Sequence, residues 1–331
     1  MTEIGATAGL TRLAARGRLS RRDFLHMALG AGLTLGAAAQ LFATAARAEP
    51  KSGGFARFGL AHGATTDTLD PVGYPDTFTQ CAFWGAMSNG LTEIDAAGNV
   101  VPELAESFES SNGAKTWIFR LRSGVTFHNG QDVTPEDVIG SFRHHMGASS
   151  KSAAKSLLEP ISDMKADGNA VVFTLASGNA DFPFIVSDYH LPIMPAKDGT
   201  ADWQSGIRTG AFTLENFQPG VSAKLKRNPN YFKNGKPYLD EVEFLAITDV
   251  AARMNAMVTG AVDYISRADL KTLQFLKRNS DIEILEQTGY SHYTLPMNVT
   301  VPPFDNADVR LALKWAIDRD EIVQKIFLGH A

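Results

Sequence analysis

Apolar and polar residues alternate over residues 116–122. Trp117, Phe119 and Leu121 fall on one face of an extended chain, and polar residues fall on the other. Because side chains of a strand point alternately to opposite faces, this pattern predicts a strand of an antiparallel sheet with one buried face. An aromatic platform for a carbohydrate or a nucleic acid is the alternative, but a buried sheet face is the commoner use of such alternation.

A helical spacing begins after this strand. Val138, Phe142 and Met146 recur four residues apart and therefore share one face of a helix. Thr134 can accept hydrogen bonds from free N–H groups of the first turn, and Pro135 suits the first helical position. The pattern predicts a capped helix with a buried stripe.

Shorter patterns predict the other elements. Strands are expected at residues 55–60, 91–94, 171–175, 209–214, 223–227, 238–248, 261–265, 282–285 and 292–298, and helices at 76–87, 249–259, 270–278, 306–317 and from 318 onwards. This mixture predicts an α/β class with α+β mixed sheets. We expect Trp117 and Tyr264 in the core, and Cys81, the single cysteine, as a buried inert thiol.

The first 48 residues differ in charge from the rest of the chain. They carry six Arg and two acidic residues, a net charge of +4, and since the whole chain has −5, residues 49–331 carry −9. This asymmetry indicates a targeting segment. The acidic remainder argues against nucleic acid and anionic membranes as partners.

The leader contains a twin-arginine pair, Arg21 and Arg22, followed by an uncharged stretch over residues 24–46. Residues 46–48 form a small-x-small site for a signal peptidase. We interpret residues 1–48 as an exported leader that resembles a Tat signal peptide and is cleaved after Ala48. A membrane anchor is the alternative, which the many Gly and Ala residues disfavour.

Four groups of segments occur in order along the chain. They are LTEID (91–95) with VPELAESF (101–108); TWIFRLRSGVTFHNG (116–130) with residues 132–138 and 141–143; residues 209–212 with LKRNPNY (225–231) and 237–244; and residues 297–298 with 303–305, 309–313 and AIDR (316–319). Together they resemble the family 5 extracellular solute-binding proteins, the dipeptide-, oligopeptide- and nickel-binding components of ABC importers.

The resemblance implies a two-lobed periplasmic-binding-protein clamshell of a type II-like fold. It assigns residues 49–85 and 195–285 to lobe I, 86–194 to a lobe I subdomain, and 286–331 to the start of lobe II, which we expect to be incomplete. It implies a periplasmic receptor that captures peptides or similar small polar solutes and delivers them to the permease subunits of an ABC transporter. Such a receptor is a monomer, has no cofactor and is not an enzyme.

The ligand of a clamshell is expected at strand ends and crossover loops, where backbone groups are free. Large amphipathic side chains suit a cleft, and Arg can bind a carboxylate with two donors. On these grounds we nominate Thr68, Leu69 and Asp70 after the first strand, then Trp84, Arg208, and the crossover residues Tyr290, His292, Tyr293 and Asn298. For each of them a structural function is the alternative.

Two rival functions remain. Ser152 and Lys155 match the S-x-x-K motif of serine β-lactamases. Residues 187–188 and 208–210 weakly resemble the other two motifs of these enzymes. A ligand-sensing or chaperone-like protein on the same fold is the second rival, because a fold does not determine a function. A metal site at residues 144–145 is disfavoured, since adjacent helix positions point in different directions.

Overall fold

A computed structural model describes residues 10–11, 21–46, 52–287, 289 and 293–330. The chain divides into two compact units, Met1–Gly53 and Gly54–Ala331. In the first unit, helices α1 (Arg21–Gly30) and α2 (Leu35–Ala46) share a small apolar cluster that includes Phe24 and Ala38. Among the residues that the structure describes, no helix is long and apolar enough to cross a membrane.

The second unit alternates strands and helices. The strands are β1 (Phe55–Leu60), β2 (Thr92–Ile94), β3 (Val100–Pro102), β4 (Ala105–Ser111), β5 (Thr116–Leu121), β6 (Ile161–Asp167), β7 (Ala170–Leu175), β8 (Ala196–Lys197), β9 (Thr200–Ala201), β10 (Phe212–Gln218), β11 (Ser222–Arg227), β12 (Glu241–Ala246) and β13 (Tyr264–Ile265). The helices are α3 (Thr77–Thr79), which continues as a π-helical stretch (Gln80–Ala86), α4 (Pro135–Met146), α5 (Lys155–Leu158), α6 (Phe182–Ile185), α7 (Val250–Val258), α8 (Leu273–Leu276), α9 (Ala307–Ala316) and α10 (Arg319–Lys325).

A mixed five-stranded sheet has the order β10-β11-β12-β1-β13. Strand β1 runs parallel to β12 and β13, whereas β11 runs antiparallel to both of its neighbours, β10 and β12. Buried residues alternate along β11 (Ala223, Leu225) and β12 (Val242, Phe244), as one covered sheet face requires. These residues share a core with Phe83 and other residues of the helical segment after β1.

A second, antiparallel sheet has the order β4-β5-β7-β6. Trp117, Phe119 and Leu121 of β5 are 7%, 0% and 2% exposed, which confirms the predicted buried face. Phe173 of β7 lies between this face and helix α4, with its ring centroid 5.1 Å from that of Phe142. The buried residues of the core around this sheet all lie between Leu91 and Ile193 in the sequence. The assignment of lobes and subdomain stays a prediction.

Helix α4 begins where its sequence predicts. Thr134 accepts a hydrogen bond from the N–H of Asp137, and the Asp137 carboxylate accepts one from the N–H of Thr134, so the two residues form a capping box. The other oxygen of Asp137 accepts the N–H of Ala196 at 2.7 Å. The cap therefore also anchors the β8–β9 hairpin to the helix.

Four local predictions were wrong or incomplete. Residues 282–285 and 293–298 form no strand, because neither segment pairs with another strand; Leu285 is 66% exposed. Tyr264 is 42% exposed because β13 is a short edge strand. Cys81 is only half-buried, although burial, followed by the charge of Asp76, raises the pKa of its thiol.

Candidate functional site

The loop after β1 is a closed turn with an exposed rim. Asp67 is 4% exposed; its carboxylate accepts the N–H of Ala64 at 2.8 Å, and its own N–H donates to the carbonyl of Ala64 at 2.9 Å. Burial raises the pKa of this carboxyl group. By contrast, Thr66 and Thr68 are exposed, and their backbone N–H groups have no partner among the described residues. The rim therefore offers free donors on a fixed backbone.

Arg208 lies under this loop and is 1% exposed. Its guanidinium donates to the carbonyls of Ile207 at 2.8 Å, Leu69 at 3.0 Å and Trp203 at 3.3 Å. The Tyr74 hydroxyl donates to the same Leu69 carbonyl at 3.1 Å. The fold thus brings the nominated Arg208 and Leu69 together, but the arginine holds backbone carbonyls of its own chain. Its contact with a ligand carboxylate stays a prediction.

Asp70 connects the loop to helix α4. Its Oδ1 atom lies 2.8 Å from Nε2 of His144 and accepts the N–H of Val72 at 3.0 Å. Burial by itself would raise the pKa of Asp70, but the hydrogen bonds from His144 and Val72 outweigh it, so the pKa is lowered. The loop is consequently tied at one point to Arg208 and at another to the helix.

Trp84 lies elsewhere, in a pocket of about 310 Å³. The pocket is lined by Trp84, Gly85, Ser88, Asn89, Glu93, Ile94, Glu103, Ser187, Tyr231 and Lys233. Tyr231 follows the Arg227 end of β11, whereas residues 64–65 of the loop after β1 approach Gly220 at the opposite end of that strand. None of the three nominated loop residues lines the pocket, so the structure does not bring Trp84 into their group.

The floor of this pocket, which the sequence analysis missed, is a buried carboxylate. Glu103 is 5% exposed and accepts Asn89 Nδ2 at 2.6 Å, Lys233 Nζ at 2.9 Å and the N–H of Gly90 at 3.0 Å. Burial raises the pKa of Glu103. Burial would lower the pKa of Lys233, but the charge of Glu103 and the hydrogen bonds to Glu93 and Glu103 raise it. A glutamate in the otherwise apolar run of residues 100–105 is the signal that could have pointed to it, since a buried charge needs partners.

The crossover residues stand apart from both groups where they are described. Tyr293 is 83% exposed, and its ring centroid lies 5.7 Å from that of Phe327. Asn298 is exposed, and its side-chain oxygen accepts the N–H of Thr300 at 3.1 Å. Tyr290 and His292 lie outside the described residues. Their binding functions stay predictions.

The S-x-x-K motif has a structural explanation. Ser152 is 8% exposed, and its hydroxyl lies 2.7 Å from Nδ1 of the fully buried His145. Lys155 donates instead to the carbonyl of Ala148 at 2.9 Å. In this motif the serine must be reachable and the lysine must lie beside it, but Ser152 is buried and Lys155 is bonded to Ala148, so this arrangement does not favour the β-lactamase alternative. In the described part of the chain, no three His, Cys, Asp or Glu side chains are grouped as a metal site.

Residues 99–331 match the family described as "Bacterial extracellular solute-binding proteins, family 5 Middle". The chain belongs to this family. The family resemblance stated from the sequence is therefore confirmed.

Curated and solved relatives agree with this membership. The glutathione-binding protein GsiB of Escherichia coli strain K12 is 28% identical over 277 residues, covering 82% of this chain and 54% of the relative. The binding protein AgaA from A. tumefaciens R10, solved with agropinic acid, is 28% identical with a TM-score of 0.69. The match covers 83% of this chain and 56% of the AgaA chain. The oligopeptide-binding protein AppA of Bacillus subtilis has a TM-score of 0.72 at 23% identity. The match covers 85% of this chain and 57% of the AppA chain.

These matches confirm the predicted α/β periplasmic-binding-protein fold. The chain spans about half the length of the curated relatives that it matches, with 54% of GsiB covered.

Proposed function

We propose that this family 5 chain captures a small polar solute, such as a peptide, and delivers it to the permease subunits of an ABC importer. The observation that carries the proposal is the family match over residues 99–331. Relatives at comparable identity are described as binding glutathione, and one was solved with agropinic acid, both small polar molecules. The chain acts as a monomer, without cofactor, nucleic acid or catalysis.

We infer that the loop after β1 is part of the binding surface. A ligand shifts a clamshell towards closure only through contacts that differ between the open and closed forms. The free N–H groups at Thr66 and Thr68 can pair with carbonyl oxygens of an extended peptide, as in strand addition. Because Arg208 and His144 already hold the loop, little ordering is needed on binding, which favours affinity.

A thermal-shift screen of the folded protein tests this function. Glutathione, dipeptides, oligopeptides, agropinic acid and a nickel–histidine chelate are the probes. One class is expected to stabilise the protein by about 2.7 kcal/mol at roughly 100 times its dissociation constant. Thr66→Trp, which covers the loop rim, should abolish the shift, while Thr200→Trp on the exposed β8–β9 hairpin should leave it unchanged. Absence of a shift with every class contradicts the proposal.

We also propose that the leader is a Tat signal and that the working protein is periplasmic. The charge asymmetry and the Arg21–Arg22 pair support this proposal. Replacing both arginines by lysine is expected to retain the uncleaved precursor in the cytoplasm, whereas lysine at Arg16 and Arg18 should leave export intact. The readout is fractionation with N-terminal sequencing, in which the exported form begins at Glu49. Export of the Arg21→Lys/Arg22→Lys double variant at the normal level would refute Tat dependence.

A further inference from the structure

The pocket beside Trp84 holds a charged trio that solute capture at the β1 loop does not use. Lys233 Nζ lies 2.6 Å from Glu93 and 2.9 Å from Glu103, and these three residues supply all the formal charge of the lining. Two carboxylates and one ammonium leave a net charge of −1 at neutral pH. The pocket therefore favours a cation over an anion.

The hydrogen-bonding groups of the pocket that have no partner are mainly acceptors. Glu103 already accepts three hydrogen bonds, but only Oε2 of Glu93 is used, by Lys233; its Oε1 has no partner among the described residues. Ser187 donates its hydroxyl proton to the carbonyl of Phe184 at 2.7 Å, so its oxygen remains free to accept. A ligand with several N–H donors matches these two free acceptors.

The walls of the pocket are suited to the body of such a ligand. The indole of Trp84 and the phenol ring of Tyr231 are half-buried there, and Ile94 adds an apolar side chain. Aromatic rings attract cations through their quadrupole, most strongly for Trp. A bare metal ion fits poorly, because no group of three metal-ligating side chains is found in the described part of the chain.

We propose that the Trp84 pocket is a separate binding site for the ammonium group of a small organic amine. The amine nitrogen donates to Glu93 Oε1 and Ser187 Oγ, and its carbon substituents pack against Trp84 and Tyr231. Because the pocket and the β1 loop share no lining residue, the amine is expected to bind whether or not the loop holds its solute.

The test is a titration with methylammonium chloride, followed by ¹⁹F NMR of protein labelled with 5-fluorotryptophan. The chain has four Trp residues, and Trp84→Phe assigns the resonance of interest. We expect the Trp84 resonance to shift saturably, while sodium chloride at equal ionic strength leaves it in place. The resonance of the buried Trp117 reports that each variant is folded.

Two variants and a control decide the outcome. Glu93→Gln should weaken methylammonium binding about tenfold or more, since it removes a charged acceptor. Gly85→Leu should block the pocket by volume alone; its Cβ would meet only the carbonyl of Gln80, at 3.5 Å. Glu109→Gln, an exposed carboxylate paired with Arg120, should have no effect. An unsaturable shift, an equal shift with sodium, or full binding by a folded Gly85→Leu variant overturns the proposal.

Discussion

Arg208→Ala is expected to lower the free energy of unfolding by about 3 kcal/mol, because it removes a buried guanidinium from three backbone carbonyls and leaves a cavity. The carbonyls are those of Ile207, Leu69 and Trp203; within the described part of the chain only Leu69 keeps a second donor, the hydroxyl of Tyr74. Chemical denaturation followed by circular dichroism measures the change. The solute affinity should fall as well, since the β1 loop loses the guanidinium that holds the carbonyl of Leu69.

The matched control is Arg120→Ala on β5. Arg120 is exposed and forms an ion pair with Glu109 at 3.1 Å, so its loss should cost less than about 1 kcal/mol. Arg208→Met, which fills the space without donors, separates the two causes. If Arg208→Met is as stable as the parent, the hydrogen bonds to the three carbonyls contribute nothing measurable, and the argument for Arg208 fails.

Acid destabilisation through His145 is the second large effect that we expect. Burial, together with the charge of His144, lowers the pKa of His145 from 6.5 to about 4. The unfolded chain therefore takes up a proton at higher pH than the native state does. The stabilisation is complete above pH 6.5 and is lost as the pH falls from 6.5 towards 4, by roughly 3 kcal/mol for this residue.

Several neighbouring groups also affect the protonation of this imidazole. Asp70 and Asp188 favour its protonation, whereas His190 opposes it, and Ser152 contacts its Nδ1. His128, whose pKa is also lowered to about 4 by burial, contributes in the same direction and pH range.

Urea denaturation between pH 7 and pH 4 measures the effect. His145→Asn retains a polar atom near the Nδ1 position but cannot be protonated, so its stability should fall less steeply with decreasing pH. His330→Asn, close to the end of the chain and paired with Glu286, is the control and should keep the parental slope. An unchanged slope in His145→Asn would mean that this histidine is not the source of acid sensitivity.

Local patterns predicted much of the fold. The alternation at Trp117, Phe119 and Leu121 gave the buried face of β5, and Thr134 with Pro135 gave the start of α4, because both depend only on neighbours along the chain. The same kind of pattern failed at residues 282–285, since an extended segment becomes a strand only if another strand lies beside it.

The amino-acid sequence by itself determined the family and the strongest strands and helices. It also supplied the hypothesis of an export leader. Only the tertiary structure decided that Arg208 lies buried under Leu69, 139 positions away, and that Glu103 meets Lys233 across 130 positions. Periodicity and capping act over a few residues, whereas the partner of a buried charge depends on sheet order and register. The pocket beside Trp84 could therefore not be predicted from the sequence, because the fold brings Trp84 and Glu103 together with Tyr231 and Lys233, which follow β11.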